Sequence, residues 1–223
     1  MNLVLIERIL EKACEIQQIS SPTFSEENRA ISVLECFKQA GLQQVYLDKV
    51  GNVLAKIPGR GDGLPLVVSA HLDTVFPGST DLTLTKDADR IYAPGIGDNS
   101  LGVAALFGLL WEFLPDSGKG SPQAYSGLPG DIWLVANVGE EGLGDLLGMR
   151  AIVDQFKDQV KAYLVLEGMS LGQIYHRALG VHRYKITAKT AGGHSWVDYG
   201  KPSAIHELAQ LVTQLSNMAV PSS

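Results

Sequence analysis

Apolar residues along the chain follow two different periods, and their alternation predicts strands interleaved with helices. Residues 3 to 19 carry Ile6, Ile9, Leu10, Ala13 and Ile16 at helical spacing, and Ser20-Ser21-Pro22 closes the segment with a turn. Ser25-Glu26-Glu27-Asn28 predicts the start of a second helix, which runs to Ala40 and stops at Gly41. Short strands are expected at Gln44 to Leu47 and Asn52 to Ile57, separated by the turn residue Gly51. Three continuous apolar runs read as buried strands: Leu66 to Ala70, Ile132 to Val138 and Ala162 to Leu166. Leu101 to Phe113 is apolar almost all round, which predicts a buried helix, and Leu146 to Phe156 predicts another. The class implied is α/β, with a mixed, largely parallel sheet flanked by helices.

Two stretches fall outside that pattern. Residues 77 to 97 are rich in Pro, Gly, Asp and Thr and read as loop with room for one hairpin; Pro115 to Gly130 reads as a surface loop. After Ser170 the pattern changes: Gln173 to His176 and Val181 to Thr190 alternate apolar with polar residues, as half-exposed antiparallel strands do. Gly192-Gly193-His194-Ser195 follows, then a helix initiated at Pro202 and running to about Met218. The organisation expected is one larger domain over 1–177, lacking its C-terminal portion, and the opening strand and helix of a smaller α+β domain over 178–223.

Composition narrows the function classes. A net charge of -6 gives no basic face for nucleic acid, and no apolar run reaches the roughly 20 residues that span a bilayer. The amphipathic segment Leu3 to Leu10 lacks a basic leader and cleavage site, so it does not read as a signal peptide. Cys14 and Cys36 sit inside predicted helices among core-type residues, where reduced, packed thiols are expected rather than a disulfide. A cytoplasmic enzyme without nucleic-acid or membrane partners fits these features.

Candidate chemistry gathers at the ends of the predicted strands. His71-Leu72-Asp73 directly follows Leu66 to Ala70, and ligands of open α/β sheets collect outside the carboxyl ends of strands. Side chains two apart share one side of an extended segment, so one of the pair can bind a metal while the other fixes the imidazole tautomer. Asp98 opens the apolar helix; it reads either as an N-cap or as a carboxylate able to bridge two cations. Glu140-Glu141 closes the second strand, and two adjacent carboxylates repel unless a cation or proton lies near. They suit a division of labour between metal ligand and general base. Glu167 closes the third strand. One imidazole with several carboxylates is a divalent-metal donor set. A dinucleotide loop is disfavoured because Gly95-x-Gly97-x-x-Ser100 lacks a third glycine and a preceding strand, and neither a nucleophile elbow nor a Walker A loop occurs. His176, His182 and His206 have no evident partners, and Trp111 and Trp133 read as core.

Ser69-Ala70-His71-Leu72-Asp73-Thr74-Val75, Gly97 to Gly102, Gly139-Glu140-Glu141-Gly142 and Leu166-Glu167-Gly168 together resemble, in order and spacing, the M20 family of zinc-dependent metallopeptidases and amidohydrolases, which includes peptidase T, carboxypeptidase G2 and acetylornithine deacetylase. Gly192-Gly193-His194-Ser195 resembles the histidine-bearing segment of that family's lid, or dimerisation, domain. The resemblance implies two zinc ions, with Co2+ or Mn2+ as substitutes. His71 and Glu167 would bind one, Glu141 the second, and Asp98 both. Asp73 would orient His71, Glu140 would be the general base acting on a metal-bridging water, and His194 would stabilise the oxyanion, often across a homodimer. It also implies a cis peptide between Asp98 and Asn99. The substrates implied are small peptides, di- or tripeptides, or N-acyl amino acids. Members of that family continue further, to a late histidine that completes the second metal position. The alternative is therefore a catalytically impaired remnant, truncated within the lid, that binds metal or mediates oligomer contacts.

Overall fold

A computed structural model describes residues 3–42, 44–114, 127–168 and 172–219. They fall into two compact units that divide between Gln173 and Ile174.

In the first unit, helices α1 (Leu3–Gln17) and α2 (Glu27–Gln39) precede strands β1 (Val45–Leu47), β2 (Val53–Ile57) and β3 (Leu66–His71). The loop read between 77 and 97 holds a two-stranded hairpin, β4 (Thr85–Lys86) and β5 (Ile91–Tyr92). An irregular turn, Ile96–Ser100, leads into α3 (Leu101–Phe113), followed by β6 (Ile132–Asn137), α4 (Leu147–Phe156) and β7 (Ala162–Val165). Most of the expected loop at Pro115 to Gly130 lies outside the described residues. The five-stranded sheet has the order β1-β2-β6-β3-β7. β6, β3 and β7 are mutually parallel, whereas β1 and β2 are antiparallel additions, so the sheet is mixed as expected.

Strand alternation divides the core in two. Val68, Ala70, Leu72, Leu134 and Ala136 point to the face covered by α1, α2 and α3, where Phe37 stacks on Phe107 at 4.4 Å. Val67, Leu54 and Val135 point to the opposite face, against Ile152 of α4. By the same alternation Ser69 and His71 belong to the α4 side of β3. Continuous apolar runs in β3 and β6 are thus explained by burial on both faces.

β7 departs from the sequence reading. Leu164 and Val165 are about half exposed, because β7 pairs only with β3 and forms an edge of the sheet among the described residues. Trp111 and Trp133 are only partly buried; Trp111 lies under the Arg8 guanidinium at 3.8 Å and Trp133 packs on Phe156. Cys14 and Cys36 are both free.

Arg29, on α2, is a long-range tie that sequence patterning does not reveal. It is 1% exposed, and its guanidinium donates to the carbonyls of Ile19 (3.0 and 2.6 Å) and Leu72 (2.8 Å). Burial holds its pKa down to about 10, with the Asp73 charge partly opposing that shift. Arg29→Met should leave buried carbonyls without a donor and cost about 3 kcal/mol, read as a lowered urea midpoint. An unchanged midpoint would show that the tie contributes nothing.

Residues 173 to 190, all but the first of them in the second unit, form no strand, contrary to the strands expected at Gln173 to His176 and Val181 to Thr190. Strand structure is completed only by a partner ladder, and the described residues offer none to this segment. Turns follow at 195–200, and α5 (Ala204–Ser216) carries the predicted helix, with no residue buried.

Candidate metal centre

Because β6, β3 and β7 are parallel, their carboxyl ends share one sheet edge, and Asn137, His71 and Val165 close them. His71 is 2% exposed. Its Nδ1 lies 2.9 Å from the Asp73 backbone carbonyl and 3.5 Å from the Asp73 carboxylate. Its Nε2 faces the other way, 2.9 Å from Asp98 Oδ1 and 3.6 Å from Glu167 Oε2. An Nδ1–H donated to the Asp73 carbonyl presents Nε2 as the ligand nitrogen. Burial alone would push the imidazole pKa down, but hydrogen bonds to and charges on Asp73 and Glu167 outweigh it and raise it to about 11.

The Asp73 carboxylate has a second set of partners. One oxygen accepts the Glu140 N–H at 3.0 Å; the other accepts the Glu141 N–H at 2.9 Å and the Thr23 hydroxyl at 3.0 Å. Burial works to raise its pKa, yet His71 and the two N–H donors hold it below the ordinary carboxylate value. One residue earlier, the Gly139 N–H donates to Glu26 at 3.0 Å. Two buried carboxylates therefore hold three successive N–H groups and fix the chain that presents Glu140 and Glu141. Gly139 has φ +61°, a conformation that suits glycine.

Asp98 is presented by the turn before α3, and the Asp98-Asn99 peptide is cis, as the sequence resemblance implies. Two overlapping donor groups result, His71 with Asp98 and Glu167, and His71 with Glu140 and Glu141. Within each, the potential ligand atoms lie within 4.8 Å of one another. Burial raises the Glu140 and Glu141 pKa values, and neighbouring carboxylates add to the shift while His71 opposes it. Four carboxylates converging on one imidazole carry the negative charge that a divalent cation would neutralise, and the nitrogen and oxygen donors suit zinc. On this test the residues fit a metal.

His194 belongs to the second unit. Its Nδ1 accepts the N–H groups of Trp196 and Val197 at 3.3 and 3.4 Å, and its own N–H donates to Asp198 at 2.8 Å. His176, His182 and His206 are exposed. Sequence reading missed Glu26, whose helix-start position disguises it, and Asn99, whose only local signal is the neighbouring Asp98.

Comparison with solved structures places the fold among those of peptidases. The chain is similar to aminopeptidase PepT from Bacillus cereus, with a TM-score of 0.57 and 24% identity over 72% of this chain and 43% of that one. A tripeptidase from Staphylococcus aureus gives 0.56 and 25% over 74% and 44%. A Bacillus subtilis dinuclear metal-binding peptidase of the M20 family gives 0.51 and 13% over 75% and 44%. The chain spans less than half the length of these three structures. Comparison with curated proteins gave no significant match. The family model that matches, over residues 52–207 from β2 into α5, is that of peptidase family M28, and the chain belongs to that family.

Proposed function

We propose that this chain carries the metal-binding and catalytic residues of a zinc-dependent exopeptidase of the M20/M28 type. Short peptides are its favoured substrates, and N-acyl amino acids are the neighbouring class. The observation that carries the reading is the single buried imidazole whose Nε2 faces Asp98 and Glu167, with Glu140 and Glu141 completing a second donor group around it. Membership of a peptidase family and likeness to a tripeptidase favour peptides over N-acyl amino acids.

His71, Asp98 and Glu167 would hold one zinc, and Asp98 with Glu141 would hold a second. Bound zinc would supply Lewis acidity, polarising the scissile carbonyl and making water acidic near neutral pH. Glu140, raised in pKa by burial, takes the proton from the attacking water and delivers it to the leaving amine. Asp73 positions both the imidazole and the Glu140-Glu141 backbone. In His194, an accepting Nδ1 leaves the proton on Nε2, which is the donor an oxyanion needs. The M20-type lid role of residues 178 onward, and a homodimer formed through them, belong to the same proposal, as does a cytoplasmic location.

The test is zinc content measured alongside turnover of tripeptides and N-acetyl amino acids. Chelation should abolish hydrolysis and added zinc should restore it. Bound zinc with no turnover at high protein concentration would instead support a catalytically impaired, metal-binding remnant.

A further inference from the structure

Asp98 and Glu167 reach His71 from two separate segments, and packing holds neither side chain. They are 55% and 42% exposed, carry like charges, and still place oxygens 2.9 and 3.6 Å from the same nitrogen. Contacts to His71 draw the two carboxylates in, and the backbones that carry them set how near each can come. Asn99 joins those backbones. It is fully buried, and its Nδ2 donates to the Leu166 carbonyl at 2.7 Å, one residue before Glu167. Its Oδ1 accepts the Gly102 N–H at 3.1 Å in the first turn of α3. One amide thus ties the Asp98 turn, the start of α3 and the end of β7.

The surrounding chain is built tightly around that amide. A Cβ on Gly102 would lie 2.0 Å from Asn99 Oδ1, and a Cβ on Gly168 would lie 1.7 Å from the Gly97 carbonyl oxygen. Segments 97–99 and 166–168 are therefore in backbone contact, with no room to slide. The tie needs a donor and an acceptor on separate atoms of one short side chain, which asparagine supplies; ionised aspartate lacks the donor, and serine has a single hydroxyl for two partners. The geometry points to Asn99 as a positioning residue that sets the distance between Asp98 and Glu167 and thereby the affinity of the cation site. This inference rests on the metal reading above.

The test is the zinc dissociation constant of the full chain, measured by chelator competition. Asn99→Ser retains a hydroxyl able to cap α3 but cannot reach Leu166. It should weaken zinc binding about 30-fold, as loss of a residue that orients metal ligands does, while the lost buried hydrogen bond also lowers the zinc-free melting temperature. Gly102→Ala displaces the amide from the other side and should weaken binding similarly, which decides the matter if Asn99→Ser fails to fold. Phe37→Leu, destabilised in the core, should bind zinc as tightly as the wild type; a purely structural role for Asn99 would make its variants behave like this control. Wild-type affinity in a folded Asn99→Ser or Gly102→Ala protein overturns the inference alone. A wild-type chain that binds no zinc overturns it together with the metal reading.

Discussion

Glu140→Gln is expected to keep its zinc and lose turnover by about 10³-fold, the scale of a general base. The substitution is nearly isosteric and removes only the proton acceptor. The backbone around it stays fixed, because Asp73 and Glu26 hold the N–H groups of residues 139 to 141 whatever side chain follows. Metal content and kcat should therefore separate. Loss of zinc from Glu140→Gln would make Glu140 a ligand and leave the base unassigned.

Asp98→Ala should do the opposite and weaken zinc binding by more than about 100-fold, beyond the range for residues that merely orient ligands. Its carboxylate lies 2.9 Å from His71 Nε2 and belongs to the same donor group as Glu167. Because Asp98 is more than half exposed, the change should cost little folding stability, so the loss reads directly on the cation. Calorimetric titration of metal-free protein with zinc checks this. Retention of zinc by Asp98→Ala while Glu140→Gln loses it would invert the assigned roles.

The ligand candidates were legible in the sequence because each is a local feature: a charged residue directly after an apolar run. His71, Glu140 and Glu167 need only the strand that precedes them to be recognised, and Asp98 needs only the helix that follows. The residues that brace them are legible only in three dimensions. Glu26 reaches Gly139 across 113 positions, Asn99 reaches Leu166 across 67 and Arg29 reaches Leu72 across 43. Nothing in a local window distinguishes them from a helix start, a turn residue and a solvated charge. Burial of β7 was overread for a related reason, since an apolar run does not say whether a strand has one neighbour or two. The alternating pattern of Val181 to Thr190 likewise states a preference for pairing but cannot supply the partner. The role of Asp73 was half legible. Orientation of His71 follows from its spacing, but in the structure the carbonyl makes the closer contact and the carboxylate holds the Glu140-Glu141 turn.

The central claim is that His71, Asp98 and Glu167 are brought together to bind a cation. Anomalous diffraction at the zinc edge, from crystals of the zinc-loaded chain, tests it most directly. The account predicts a peak coordinated by His71 Nε2 and by carboxylate oxygens of Asp98 and Glu167, at about 2.0 to 2.2 Å from each ligand atom. Loaded protein with no peak there, or with its zinc bound elsewhere, would contradict it.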